Sequence, residues 1–360
     1  MRHISQVNSL NLKFAYFQIK RDQEKRLKIY YKLLSLLANR FSLMDSLERV
    51  WGIESNGGKN PDEPGAIAVS AWTYELERGQ SFADALNGWV PTGEKLMLVV
   101  GDVSKLDIAL RNVIKVSEGT KRIKDPLVSA LAYPFFLLLL VMGMIVAVGL
   151  YLVPMMTGAT KGGQWTGMAG SLVGLSEFMK TSWYYLPATF GIVMALIVFS
   201  FQHLKGQIRA SIDKFPPWSL FRMFTGVGWL MSLSAMVRAG TPITKAMEVL
   251  RDNGSPYLAY NLSAALTYMQ MGLNLGQSLH KTGLGFPEQE IIGDLNIYSE
   301  LDDFEAAVDN LANTYLENSI KNIEKQAGAL NTIALLAITG VIGWVLMGTF
   351  EMQNQIQNMM

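Results

Sequence analysis

The stretch LVSALAYPFFLLLLVMGMIVAVGLYLVP, residues 127–154, lies inside a longer segment, Pro126 to Thr160, that contains no charged side chain. An α-helix rises about 1.5 Å per residue, so about 20 apolar residues cross the roughly 30 Å hydrocarbon core of a bilayer. Buried helices of soluble proteins rarely run this far without a polar face. The stretch therefore predicts a membrane-spanning helix.

Two further segments, residues 181–204 and 326–350, lack Asp, Glu, Lys and Arg. Spanning helices are expected near residues 131–153, 184–202 and 329–350. Cationic flanks of spanning helices stay on the cytoplasmic side. Basic residues precede the first and third of these helices and follow the second: Lys121, Arg122, Lys124, Lys205, Arg209, Lys214, Lys321 and Lys325. The amino terminus and both large polar regions are therefore expected in the cytoplasm.

Composition is typical of an integral membrane protein with sizeable polar parts, since half of the 360 residues are hydrophobic and only 17% are charged. The chain has no cysteine, which excludes disulfides, thiolate zinc sites and iron–sulfur clusters. Residues 1–32 hold eight Lys and Arg and two acidic residues. This is too much charge for a signal peptide. The first span is therefore expected to act as its own insertion signal.

The basic amino-terminal segment, residues 1–32, alternates apolar and basic side chains, and two interpretations remain open. It forms a basic amphipathic helix on anionic lipid, or it is a partly disordered arm that docks on a partner. From Leu33 onward, apolar residues recur at spacings of three and four, which indicates helices. No strand pattern of useful length occurs in the sequence.

The first polar region resembles the second in the order of its segments. Residues 40–48 and 77–86 correspond to residues 240–248 and 271–279, and Pro91 corresponds to Pro287. The offset stays between 193 and 200 residues, and each copy ends in a long helix that enters a span. Self-similarity at a nearly constant offset indicates duplication of a structural unit.

The fold class that follows is an all-α integral membrane protein in which two repeated cytoplasmic helical bundles are attached to three transmembrane helices. The expected segments are a basic amphipathic amino-terminal segment at 1–32, a first bundle at 33–128, transmembrane helix 1 at 129–154, a periplasmic loop at 155–182, transmembrane helix 2 at 183–203, a second bundle at 204–327, transmembrane helix 3 at 328–350 and a periplasmic tail at 351–360.

Catalytic, cofactor and metal motifs are absent from the sequence. No phosphate-binding G-x-x-x-x-G-K-[ST] loop occurs, and the three histidines are far apart. The acidic run from Glu300 to Glu305 is expected to favour a helix start rather than to bind a metal ion. The spans hold no Asp, Glu, Lys or Arg in their cores, which argues against an ion or proton pathway. We therefore predict a chain without catalytic, cofactor-binding or metal-binding residues.

Several motifs together resemble the PilC/GspF family, the inner-membrane platform proteins of type IV pilus and type II secretion machines. They are the turn at residues 240–243, the G-x-[ST]-[LF]-x-x-[AS]-L type of stretch, the Gly101-Asp102 step and Tyr133-Pro134 entering the first span. The resemblance covers roughly residues 30–350. Arg40 and Lys105 stand where the family usually has glycine, and the third span lacks a common proline. These departures indicate a divergent branch, of the kind found in plasmid-borne or toxin-coregulated pilus systems.

The resemblance implies a non-enzymatic scaffold in the bacterial inner membrane, with its amino terminus in the cytoplasm and its carboxy terminus in the periplasm. Its role would be to couple a cytoplasmic assembly ATPase to insertion of pilin subunits into a growing fibre. The implied partners are a hexameric ATPase, pilin or pseudopilin subunits, other inner-membrane assembly proteins, further copies of the chain and the lipid bilayer. No nucleic acid and no cofactor is implied.

Candidate partner-binding residues lie in loops and exposed helix starts shared by both copies: Glu94, Asp102 and Lys105 in the first, and Glu290, Glu300 and Asp303 in the second. Two other function classes fit the sequence less well. A small transporter would need a polar pathway through the spans, which the sequence does not offer. A membrane enzyme acting on lipid would need a convergent acid–base set near the interface.

Overall fold

The computed structural model describes residues 8–91, 94–95, 97–98, 106–158, 165–300 and 303–359. All regular elements within these ranges are helical. In chain order they are α1 (Ser9–Arg21), α2 (Gln23–Ala38), α3 (Leu43–Glu54), α4 (Pro64–Glu77), α5 (Phe82–Ala85), α6 (Leu106–Ala147), a π-helical turn (Val148–Leu152), α7 (Val153–Thr157), α8 (Gly167–Ser182), α9 (Tyr185–His203), α10 (Gly206–Ile212), α11 (Trp218–Arg238), α12 (Ile243–Asn253), α13 (Pro256–Gln270), α14 (Leu275–Thr282), α15 (Gln289–Tyr298) and α16 (Phe304–Met359).

The chain divides into two compact units. The first, called here the polar unit, falls within residues 1–124, 205–214 and 221–319. The second, the apolar unit, falls within residues 125–204, 215–220 and 320–360. Both predicted bundles therefore contribute to the same polar unit.

Helix starts in the polar unit follow local sequence signals. Ser81 accepts a hydrogen bond from the backbone N–H of Asp84 at 3.1 Å and so caps the start of α5. Asn274 and Gln277 form a reciprocal capping box at the start of α14. Gly79, which follows α4, has a φ of +82°, a conformation that favours glycine. Short polar residues thus set where several of these helices begin and end.

Four helical stretches in the described residues are long and apolar enough to cross a membrane. Three contain the predicted spans: α6 continued to Thr157, α9 and α16. The fourth is α11, which the sequence analysis placed in the second bundle. The protein buries 67% of the most apolar window of α11. The corresponding buried shares are 22% for α6 continued to Thr157, 0% for α9 and 11% for α16. A helix that is apolar on all sides suits a protein core as well as a bilayer, and the number of spans stays a prediction.

The predicted periplasmic segments contain more helix than expected. Residues 155–182 include α8, and α16 continues through the predicted tail to Met359. In the apolar unit, Ala169 and Leu172 of α8 pack with Val148, Val153 and Met352. The sequence of α8 is rich in glycine and serine and gives a weak helical signal, so this packing accounts for a helix that was not predicted.

Five glycines of the predicted spans, Gly143, Gly149, Gly191, Gly340 and Gly343, are expected to allow close helix packing, because they have no side chain. Within the chain, such packing occurs at one of them. A Cβ atom added to Gly149 would come within 2.8 Å of the Met179 side chain. Around Gly143, Gly191, Gly340 and Gly343, nothing lies within 4 Å of the added atom. The expectation is therefore met at Gly149, where α8 crosses the π-helical turn, and not at the other four.

Candidate interaction surfaces

The first candidate, Glu94, has its carboxylate inside the polar unit. Arg26 of α2 donates to Oε1 from Nη2 at 2.7 Å and to Oε2 from Nε at 3.0 Å. The Tyr30 hydroxyl donates to Oε2 at 2.9 Å. The Arg26 and Glu94 side chains are only 4% and 11% exposed. Burial and the adjacent Glu94 charge raise the pKa of Tyr30 well above its usual range.

The same guanidinium also holds the end of α1. Nη1 of Arg26 donates to the carbonyl oxygens of Ile19 and Lys20 at 2.7 and 2.8 Å. Arg26 therefore joins three pieces of chain, α1, α2 and the segment after α5. In this arrangement the carboxylate of Glu94 serves internal packing rather than standing as a free surface charge.

Asp102 and Lys105 lie outside the described residues. The nearest described acidic residue, Asp107, lies in the first turn of α6, where a negative charge favours the helix start.

Glu290 is exposed at the start of α15 and lines a cleft of about 610 Å³. The cleft lies between α10, the first turns of α11 and the loop before α15. Its four charged lining residues are Lys214, Arg222, Glu288 and Glu290. Small and polar residues and one leucine complete the lining: Gln207, Ala210, Ser211, Gly283, Leu284, Gly285 and Gln289. This is a mixed-charge depression rather than an apolar pocket.

The ion pair between Arg222 and Glu288 in this cleft is too long for a hydrogen bond. Nη2 of Arg222 lies 3.8 Å from Oε1 of Glu288, which is beyond hydrogen-bond distance. Nε of Arg222 is buried and has no hydrogen-bond partner among the described residues. Burial raises the pKa of Glu288, and the nearby Glu290 charge adds to this rise, while Arg222 opposes it. The guanidinium of Arg222 in this cleft, which we call the charged cleft, is therefore incompletely satisfied by its neighbours.

A buried ion pair supports the wall of the charged cleft formed by α10. Nε of Arg209 lies 2.8 Å from Oδ1 of Asp213, and both side chains are buried. The Tyr257 hydroxyl donates to Oδ2 of Asp213 at 2.9 Å, and its ring lies 4.7 Å from the guanidinium carbon. Burial raises the pKa of Asp213 despite the attraction of Arg209. Arg209 was counted among the cytoplasmic flanking cations, and the structure shows that its charge is neutralised internally.

The remaining candidates, Glu300 and Asp303, flank the start of α16 and are exposed. Oδ1 of Asp303 accepts a hydrogen bond from the backbone N–H of Ala306 at 3.3 Å. This is an N-terminal cap, as expected from the acidic run. Among the described residues, no cluster of three or more potential metal ligands occurs.

Sequence reasoning missed a charged hub at Asp309, which joins α6, α11 and α16. Its carboxylate accepts from Lys115 at 2.7 and 2.8 Å, from Arg238 at 2.8 Å and from Ser234 at 2.9 Å. Burial alone would raise the pKa of Asp309, but Lys115, Ser234 and Arg238 hold it below its usual value. A signal was available: Lys115 and Asp309 are 194 residues apart, which lies within the offset range of the predicted repeat.

Comparison with known proteins matches residues 229–350 to the family described as type II secretion system protein F. The toxin coregulated pilus biosynthesis protein E of Vibrio cholerae is 23% identical over 336 residues, which cover 92% of this chain and 97% of that protein. The type IV pilus assembly protein PilC of Myxococcus xanthus is 20% identical, covering 77% and 68%. The protein transport protein HofC homolog of Escherichia coli is 21% identical, covering 91% and 82%.

The family match begins within α11 and ends within α16, at residue 350, so it contains Glu290, Glu300, Asp303 and the hub residue Asp309. The relatives extend the similarity over most of the remaining chain. Proteins of this kind are structural and non-enzymatic. The resemblance of this chain to the PilC/GspF family of inner-membrane platform proteins is therefore confirmed, by the family match over residues 229–350 and by similarity to the three relatives.

Proposed function

We propose that this chain is the inner-membrane platform of a type IV pilus or type II secretion machine, and that it couples a cytoplasmic assembly ATPase to insertion of pilin subunits. The observation that carries the proposal is the similarity to a pilus biosynthesis protein along 92% of the chain. The named relatives act in pilus assembly or protein transport, which supports the same role here. Nucleotide-driven motion of the ATPase would move the platform, and the platform would lift pilins from the bilayer.

The proposed topology has three spans, a cytoplasmic amino terminus and a periplasmic carboxy terminus. Burial of α11 inside the protein supports three spans rather than four. Because the chain lacks cysteine, single cysteines can be introduced for labelling in intact cells. We expect a membrane-impermeant maleimide to label Ser171→Cys in α8 and to leave Glu290→Cys unlabelled until the inner membrane is opened. Labelling of Glu290→Cys in cells with an intact inner membrane would contradict the topology.

The proposed domain organisation is a duplicated bundle whose two copies work as one body. Its support is the shared helix order: α2 to α5 and α6 in the first copy, α11 to α14 and α16 in the second. The ending helices of the copies are joined by ion pairs, Lys115 to Asp309 and Arg122 to Glu317, both at 2.7 Å. Such ion pairs would transmit a force applied to one copy to both α6 and α16, the two helices that continue into apolar segments.

The proposed partner-binding surface consists of five of the six predicted residues: Asp102, Lys105, Glu290, Glu300 and Asp303. Glu94 is left out because its carboxylate is held by Arg26 and Tyr30 inside the polar unit. Within this set, the charged cleft around Glu290 and the start of α16 offer exposed groups for an ATPase to contact. The open glycine faces at Gly143, Gly191, Gly340 and Gly343 would be available to pilin stems or to further copies of the chain.

The test is charge reversal at two of these positions, Asp102→Lys together with Glu300→Lys, in cells that assemble the fibre. We expect fibres to be lost and the assembly ATPase no longer to co-purify, while the level of the chain in the membrane is unchanged. Glu48→Lys with Glu77→Lys is a matched control, because both residues are exposed acidic groups of helices outside the proposed surface. Wild-type fibre yield from the Asp102–Glu300 double variant would contradict the assignment of these positions.

A further inference from the structure

Helix α1 presents an apolar stripe to solvent. Leu10, Phe14 and Phe17 are 71%, 62% and 60% exposed, and their spacing of four and three places them on one face. The opposite face carries Ala15 and Ile19, which are fully buried where α1 packs against α2 and α4. The helix is therefore fixed to the polar unit by one side while its other side remains uncovered.

Packing around α1 shows that its orientation is set by the fold. Tyr16 stacks on Trp89 with ring centroids 3.7 Å apart. The carbonyl oxygens of Ile19 and Lys20 accept hydrogen bonds from the buried Arg26. The stripe is thus a feature of a firmly packed helix. Residues Ser9–Arg21 are helical, which is compatible with the first of the two interpretations of residues 1–32, a basic amphipathic helix on anionic lipid.

The other apolar side chains of the polar unit that are more than half exposed lie on separate elements. Ile53, Ile208, Met271 and Ile297 are examples, each on a different element or turn. Scattered apolar residues of this kind are normal on protein surfaces, whereas a contiguous patch indicates an interaction site. The α1 stripe is such a patch.

The charges beside the stripe are cationic. Lys13, Lys20 and Arg21 lie on the exposed side of α1, and none of them forms an ion pair with a described residue. The Arg21 guanidinium lies 5.3 Å from the centre of the Phe17 ring. The neighbouring carboxylate of Glu24 is already paired with Lys121 at 2.5 Å. The patch therefore combines large apolar groups with uncompensated positive charge.

We propose that α1 binds the surface of an anionic bilayer, with Leu10, Phe14 and Phe17 at the boundary of headgroups and acyl chains. An apolar face flanked by Lys and Arg is the pattern of an interfacial helix. Anionic lipids attract such cations over about a Debye length. The chain is already attached to a membrane by its spans, so the bilayer is present at high effective concentration. This inference goes beyond the proposed function and requires only membrane attachment.

The test uses the full-length, cysteine-free chain in lipid nanodiscs. Phe14→Cys is labelled with an environment-sensitive fluorophore and compared in phosphatidylcholine with 30 mol% phosphatidylglycerol and in phosphatidylcholine alone. We expect a blue shift and at least a two-fold gain in quenching by brominated lipid in the anionic discs. Asn11→Cys, an exposed position off the stripe on the same helix, is the matched control and should remain accessible to aqueous iodide.

A second variant separates lipid binding from general exposure. Lys13→Gln with Lys20→Gln removes two exposed charges without touching the buried face, and we expect the blue shift in anionic discs to be lost. A Phe14 label that is quenched equally by iodide in both lipid compositions would overturn the proposal. So would a label that is protected from iodide in the anionic discs but not quenched by brominated lipid, since that result would indicate coverage by protein, such as a second copy of the chain.

Discussion

Two arginine–glutamate pairs of the polar unit differ in the distance between their charged groups, in their burial and in the number of their hydrogen bonds. Arg26 and Glu94 share two hydrogen bonds of 2.7 and 3.0 Å and are almost fully buried. Arg222 and Glu288 are separated by 3.8 Å, and their side chains are 19% and 23% exposed. The first pair is satisfied by further hydrogen bonds from Tyr30 and to backbone carbonyls, whereas the second leaves a buried Nε without a partner among the described residues.

The difference separates a charge used for folding from a charge that remains available. Removing one member of a buried, satisfied pair leaves an uncompensated charge in a low-dielectric site, which is costly. A loosely paired guanidinium can exchange its partner for an incoming carboxylate at little cost. Glu94 and the cleft around Glu290 were equivalent candidates by sequence, and their surroundings assign them different roles.

The largest effect is expected for Glu94→Gln. The substitution leaves the Arg26 guanidinium buried without a counter-charge, and breaking a buried ion pair costs about 3–5 kcal/mol. The free energy of unfolding of the detergent-solubilised chain should fall by about that amount, with earlier proteolysis between α1 and α2. Glu77→Gln, on an exposed residue, is the control. Ordinary surface substitutions change the free energy of unfolding by less than about 0.5 kcal/mol. A change that small for Glu94→Gln would show that the Arg26–Glu94 pair does not stabilise the fold.

A smaller effect is expected for Asp309→Asn at the hub. Hydrogen bonds to charged groups contribute about 1.5–3 kcal/mol, and Lys115 and Arg238 are partly exposed, so solvent screening reduces the loss to about 1–2 kcal/mol. Because the folded-state pKa of Asp309 is depressed, its contribution is present above the unfolded pKa and is lost as pH falls through the folded pKa. The wild type should therefore lose more stability in acid than the variant.

The control for the hub is Asp303→Asn, since asparagine caps a helix about as well as aspartate. Its midpoint of thermal unfolding should stay near that of the wild type. If both variants lower the midpoint equally, the loss at Asp309 reflects a change in α16 as a helix rather than loss of the links to α6 and α11.

The all-helical character and the long apolar helices followed from the sequence because charge-free length and helical periodicity are local signals. Length and hydropathy alone do not separate α9 from α11, whose apolar windows have mean hydropathies of 1.7 and 1.4. Charge does separate them, because Arg222 and Arg238 leave only residues 223–237 of α11 without a charged side chain, which is short for a span. α9 buries none of its window, whereas α11 is covered by its neighbours, for example Met231 against Gly119 and Trp229 against Phe286. Which helices surround a segment is a property of the tertiary structure.

The candidate surface was partly predictable for the same reason. Caps depend on residues three apart, so the role of Asp303 at the start of α16 could be read locally. The partners of Glu94 lie 64 and 68 residues away, and those of Asp309 lie up to 194 residues away. An acidic residue in a loop therefore gave no indication whether a distant arginine would cover it.

The same substitution in the second pair, Glu288→Gln, is expected to change the free energy of unfolding in the opposite direction from Glu94→Gln. Its effect is also expected to be the smallest of the three. Burial raises the folded-state pKa of Glu288, so ionisation opposes folding and its cost grows as pH rises through the unfolded and then the folded pKa. Glutamine removes that cost, and the variant should be equal to the wild type or more stable by up to about 1 kcal/mol at neutral pH. Thermal midpoints measured between pH 4.5 and 7.5 should decline less in the variant than in the wild type. A loss of stability comparable to that of Glu94→Gln would mean that Arg222 depends on Glu288 as Arg26 depends on Glu94, and the charged cleft would then have no guanidinium free for a partner.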